Sequence, residues 1–221
     1  MLRLMAFAAA AALVSTAARA GDAAPAPAMF WSGLYAGIQG TGVSGDANVD
    51  IPLYPVNFDL ATEGLGAGAF AGFNAQINQL VIGLEGDGTW LDANGSAPTG
   101  GLGGTERYDV GQKWEASARG RIGVAFDNIG FADSIQFFGT GGAAFTELQT
   151  AYTPASGGTD DATYMGWTAG GGMEVVKGSV LARVMYRFSD YGNEGFFHTG
   201  PSSVDYQTQM ISLGLGFKFS Q

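Results

Sequence analysis

The sequence predicts an all-β fold: an eight-stranded antiparallel up-and-down transmembrane β-barrel. Three observations predict it. Apolar residues recur with a period of two in eight separate segments. The connections between those segments alternate between short and long. The chain also opens with an export signal, yet holds no apolar run of the ~20 residues that a membrane-spanning helix needs.

Composition bounds the classes available. Glycine supplies 37 of 221 residues, far above the usual ~7%. Charged residues make up 14% of the chain, against ~25% in a typical soluble domain. So little charge leaves a water-exposed surface thinly covered. The formal net charge of −10 excludes a nucleic-acid partner, because a phosphate backbone needs a basic patch. The absence of cysteine removes both a disulfide framework and a thiolate metal site.

The first segment, "MLRLMAFAAAAALVSTAARA", has one cation at Arg3 and an apolar stretch from Leu4 to Val14. It ends on Ala18-Arg19-Ala20, a small-x-small cleavage pattern. Residues 1–20 therefore read as a signal peptide cut after Ala20. Its removal takes Arg3 and Arg19 away, leaving 8 basic and 20 acidic residues and a net charge of −12. Residues 21–29 read as a flexible leader and 30–221 as the barrel domain.

The eight predicted strands cover about 33–44, 64–76, 80–91, 113–126, 134–147, 164–176, 179–191 and 204–219. In the third, Leu80, Ile82, Leu84, Gly86, Gly88 and Trp90 share one face; Glu85 and Asp87 share the other. In the fourth, Trp114, Ala116, Ala118, Gly120, Ile122, Val124 and Phe126 oppose Glu115, Ser117, Arg119 and Arg121. A helix would scatter that apolar set and would hold interior glycines at ~1 kcal/mol each. The last strand alternates Ile211, Leu213, Leu215, Phe217 and Phe219 with Ser212, Gly214, Gly216 and Lys218. Short connections are predicted at Ile77–Gln79, Asp127–Asp133 and Val176–Gly178. Long polar ones are predicted at Gly45–Glu63, Asp92–Gln112, Leu148–Thr163 and Gly192–Ser203.

A secreted β-sandwich would also alternate, so the tryptophans help decide. Trp90, Trp114 and Trp167 lie on apolar faces near the long-loop ends of their strands, and Trp31 precedes the first strand at the short-turn end. That is the placement of interfacial aromatic girdles, with Phe126, Phe217 and Phe219 extending the lower one. The pattern places the protein in the outer membrane of a Gram-negative cell, in contact with its lipid and lipopolysaccharide.

Several stretches resemble one family. They are "FWSGLYAGIQGTG" at the start of the mature domain, "GLEGD", "ARGRIGVAFD", "GWTAGGGMEV" and "ARVMYRFSDYG". They resemble the small outer-membrane β-barrels of Gram-negative bacteria, the porin-like and opacity-like surface antigens of alphaproteobacteria. The resemblance runs from about Phe30 to Phe219. It implies eight strands, both termini in the periplasm and the long loops outside. It also implies recognition of the C-terminal strand, Ile211–Phe219, by the barrel assembly machinery. Two departures stand out: Met185 occupies a position where relatives often carry Glu, and Ser220 and Gln221 trail the final aromatic.

Catalytic and cofactor chemistry is sparse. His198 is the only histidine, and nothing fixes a triad around it although Ser202, Ser203 and Asp205 are near in sequence. "DANVD" lacks the Gly and Glu of a calcium loop, and "GAGAFA" lacks a βαβ setting. No enzyme activity, cofactor or metal is expected. The charged residues of the inner faces carry more. Glu85, Asp87, Glu115, Glu174, Arg119, Arg121, Arg183, Arg187 and Lys218 all fall on the face opposite the lipid. An eight-stranded barrel has an interior just wide enough for side chains, so these charges must pair. Counting inward from Leu80 and Phe126 sets Glu85 level with Arg121, and Asp87 level with Arg119. A barrel filled this way suits a structural and surface-interaction protein. The alternatives are a narrow channel for small solutes, or loop-borne binding of haem or a host factor. His198 with Tyr191, Phe196, Phe197 and Tyr206 is the patch that haem would need.

Overall fold

A computed structural model describes residues 29–51, 56–98, 107–153, 160–196 and 202–219. Residues 1–20, expected to be a signal peptide, most of the expected leader and His198 lie outside the described residues. Eight strands follow in chain order: β1 Gly33–Ile51, β2 Val56–Ile77, β3 Leu80–Pro98, β4 Arg107–Asp127, β5 Ser134–Thr153, β6 Asp160–Lys177, β7 Val180–Phe196 and β8 Ser202–Lys218. Each pairs antiparallel with the next, and β1 pairs with β8 to close the barrel. Closure leaves no unpaired strand edge, which lipid requires because it offers no hydrogen bonds.

The short connections match the sequence pattern. Asn78 and Gly178 turn two hairpins with positive φ, a conformation open to Asn and Gly because their side chains do not clash there. Asn128 and Gly130 do the same in the third. The long connections differ from expectation. Strands β1 and β2 pair without interruption up to Ile51 opposite Val56, so most of Gly45–Glu63 is ladder rather than loop. The β3–β4 and β5–β6 pairs likewise extend to Pro98–Arg107 and Thr150–Asp160. The outward positions of the first extension are mostly polar, Asp46, Asn48, Asp50, Asn57, Asp59 and Glu63, so the apolar signal of the lipid face stops before the ladder does. Bulges at Trp90/Ala93, Gln112/Trp114 and Asp190/Asn193 mark where the apolar part gives way to the polar part.

The two faces separate cleanly. Leu84, Ile122, Leu213 and Leu215 are exposed on the outside. Tyr35, Phe70, Val81, Leu181 and Met185 are buried inside with the charged set. Trp31 corrects one expectation. It is 0% exposed and packs with Tyr35, Phe70, Val81, Val176 and Leu181 in the short-turn mouth of the barrel. Its indole N–H donates to Ser134 Oγ at 2.8 Å, and its backbone N–H to Gln76 Oε1 at 2.9 Å. Gly33, at φ 109°, turns the chain from the mouth onto the wall. Trp31 is therefore a stopper within the barrel and not part of a lipid-facing girdle.

Candidate functional site: the luminal charge network

The inward face of every strand contributes to one continuous polar layer. Its lower tier centres on Glu85 of β3. Arg119 reaches Glu85 Oε1 at 2.6 Å, while Arg121 and Arg183 reach Oε2 at 3.0 and 2.7 Å. Tyr35 donates its hydroxyl to the same carboxylate at 2.8 Å. Glu174 of β6 takes both terminal nitrogens of Arg121, at 3.1 and 2.6 Å, a fork-to-fork pairing that fixes geometry as well as charge. Gln136 donates to Glu174, and Gln39 accepts from Arg183 at 2.7 Å.

The upper tier centres on Asp87. It accepts from Ser117, and it pairs with Arg187 and Arg119 at 2.9 Å each. Arg187 spans to Glu115 at 2.7 Å. Arg119 touches both Glu85 and Asp87, so it joins the tiers. In every one of these ion pairs the side chains are no more than 2% exposed. Four carboxylates and four guanidiniums balance within the layer. Each carboxylate has at least one guanidinium against it, so none is free to act as a general base.

Aromatic rings complete the packing. Arg183 lies over Phe70, its guanidinium carbon 3.6 Å from the ring centre, and Arg121 lies over Phe138 at 4.2 Å. Such stacking suits a guanidinium, which is planar and weakly hydrated. Glycines on the inner wall make the room. A Cβ at Gly37 would strike Phe70, and one at Gly72 would strike the Tyr35 hydroxyl.

Of the nine inward charges read from the sequence, eight meet in this layer: Glu85, Asp87, Glu115, Arg119, Arg121, Glu174, Arg183 and Arg187. The pairing differs in one respect. Glu85 stands opposite Arg119, and Gly83 opposite Arg121, because Leu80 pairs with Val124 and not with Phe126. Barrel strands are staggered, so their ends do not align. Arg121 reaches Glu85 by its length and spends its terminal nitrogens mainly on Glu174. Pattern reading missed Tyr35, Phe70, Gln39 and Gln136. Their signal was only an inward position in a narrow barrel. Lys218 is inward too, near the lower mouth.

Trp90 and Trp167 are exposed on the outer face, and Trp114 is half-buried, its indole N–H donating to Glu147 at 3.3 Å. Phe126, Phe217 and Phe219 are exposed at the short-turn end. Of the patch considered for haem, His198 and Phe197 lie outside the described residues. Tyr191 and Tyr206 point into the lumen, stacked with ring centres 5.9 Å apart. Among the described residues no group of histidine, cysteine or acidic side chains is arranged to hold a metal.

Residues 6–219 match the family model described as the outer membrane protein beta-barrel domain. The chain belongs to this family. This outer-membrane barrel is 33% identical over 157 residues to the 25 kDa outer-membrane immunogenic protein of Brucella abortus, an alignment covering 69% of the chain and 65% of that relative. The chain thus spans just under two thirds of the length of that relative. It is 31% identical over 195 residues to the 22 kDa outer membrane protein of Rhizobium leguminosarum, covering 87% of the chain and 80% of the relative. Among solved structures, the Yersinia pestis attachment invasion locus protein Ail aligns at 13% identity and a TM-score of 0.40, over 84% of this chain and 99% of that one. The family and its relatives place the protein in the outer membrane, and the expected likeness to alphaproteobacterial surface barrels holds.

Proposed function

We propose that this barrel is a non-conducting structural and surface-interaction protein, with no enzymatic role. It holds a closed wall in the outer membrane and offers its extended hairpins outside the cell. The observation that supports this is the luminal layer: eight mutually paired charges, with aromatic and amide side chains between them, fill the cross-section. An ion crossing it would have to part buried salt bridges, which is strongly unfavourable. Trp31 and its apolar neighbours close the lower mouth as well.

Planar-bilayer recording of the purified mature protein tests the reading. The expected result is a flat trace, and reproducible unitary conductance steps would overturn it. Orientation is tested separately. A tag inserted near Gly157 should be labelled on intact cells and one near Asn128 should not. Assembly through Ile211–Phe219 is part of the proposal. Phe219 donates its backbone N–H to Leu34 at 2.9 Å, at the seam that closes the barrel. Phe219→Ala should therefore slow the appearance of the heat-modifiable form.

A further inference from the structure

A groove runs along β1 on the outer wall. Gly40 and Gly42 face outward, and a Cβ at either would meet nothing within 4 Å. The neighbouring strands supply raised sides. Gly42 lies between Leu65 of β2 and Ile211 of β8, both exposed, and Gly40 lies between Ala67 and Leu213. The volume over Gly42 and Ser44, between Leu65 and Ile211, is about 590 Å³. At the lower end Ile38, 68% exposed, fills the track.

The upper end is different in kind. One row above Gly42, Ser44 lies between Glu63 and Gln209. Tyr186 donates its hydroxyl to Gln209 Oε1 at 3.0 Å, holding that amide in place on the outer surface. The groove is thus apolar along its floor and polar at the end nearer the hairpins. Its axis follows the strands. An amphiphile standing in the membrane has the same division: a hydrocarbon tail toward the midplane and a head group toward water.

The head-group end selects further. Glu63 is anionic, and no Lys or Arg lines the groove. A phosphodiester placed there would be repelled. A head group rich in hydroxyl and amide N–H donors would be satisfied by the Glu63 carboxylate and the Ser44 hydroxyl. We propose that the β1 groove binds one acyl chain of an outer-leaflet glycolipid, with an acylated sugar seated against Ser44, Glu63 and Gln209. The proposal rests on the outward orientation of the hairpins, since that puts the polar end in the leaflet that carries glycolipid.

Native mass spectrometry of the mature barrel in detergent tests binding without reference to orientation. The probes are a dephosphorylated N-acylated glucosamine disaccharide and, for comparison, phosphatidylglycerol. Wild type should retain one disaccharide per barrel and no phosphatidylglycerol. Gly42→Leu should fill the floor and abolish retention. Gly88→Leu, at another outward glycine with open space but outside the groove, should retain the probe as wild type does. Glu63→Ala with Gln209→Ala should weaken retention about ten-fold, through lost hydrogen bonds to the sugar. Equal retention by wild type and Gly42→Leu, or preferential retention of phosphatidylglycerol, would overturn the site. Labelling of the tags on intact cells reports the orientation independently, so the two failures are distinguishable.

Discussion

Alternate residues of one strand of this barrel answer to different solvents. On β4, Ala118, Gly120 and Ile122 face lipid, while Arg119 and Arg121 face the lumen one step away. The outer face obeys a simple rule. Apolar or small side chains are accepted almost interchangeably, and a charge is penalised by its depth in the membrane. The inner face obeys a relational rule. A charge there is neither good nor bad alone, and its worth depends on which partners remain. The difference teaches that single substitutions read the outer wall directly, whereas the inner wall needs pairs of substitutions.

The largest expected effect comes from Glu85→Leu. It removes the carboxylate that Arg119, Arg121 and Arg183 share, leaving Arg119 on Asp87 and Arg121 on Glu174 but Arg183 with only Glu174 at 3.8 Å. Breaking one buried pair costs about 3–5 kcal/mol, so this change should fall at or above that range in urea titration of the folded, heat-modifiable band. Destabilisation no larger than that at an exposed outer position would erase the contrast between the faces. Arg121→Leu should cost about 3–5 kcal/mol, and adding Glu174→Leu should recover part of it. Because both terminal nitrogens of Arg121 go to Glu174, that pair should couple more strongly than Arg121 with Glu85. Strict additivity for Arg121 and Glu174 would contradict the relational rule.

The outer wall supplies the next effect. Leu84 is 70% exposed at mid-strand. Leu84→Arg should cost about 2–4 kcal/mol in lipid if it sits near the midplane. No second substitution on a neighbouring strand should rescue it. The smallest effect expected is at Trp114→Phe, which removes one half-buried hydrogen bond to Glu147. It should cost about 0.5–1.5 kcal/mol in the same titration.

The split between faces was readable because a period of two is a property of the strand alone. Glu85, Asp87, Arg119 and Arg121 declare their side by parity, whatever the neighbouring strand does. Register is a property of two strands and of the barrel stagger, so the two-residue offset between β3 and β4 could not be counted from strand ends. The reach of the strands was hidden for another reason. Gly45–Ile51 and Val56–Glu63 pair fully but bury no apolar face in lipid, so their residues look like loop. Trp31 was ambiguous because an amphipathic ring suits a membrane interface and a barrel mouth equally. The turn at Gly33 decides between them, and φ leaves no mark beyond the glycine itself.

The luminal contacts join residues far apart along the chain. Arg183 reaches Glu85 across 98 positions and Gln39 across 144, and Arg187 reaches Asp87 across 100. None of these can form between adjacent hairpins. They wait for β7 and β8 to come round to β1. Until then Arg183 and Arg187 of a half-made barrel stay hydrated, and water fills the trough between the strands. Closing the seam expels that water and brings Arg183 and Arg187 of β7 onto the carboxylates of β3, which Arg119 already meets across the β3–β4 pair. Assembly therefore carries its own checkpoint: an unclosed sheet is wet and loosely held, and only the completed ring becomes dry and locked.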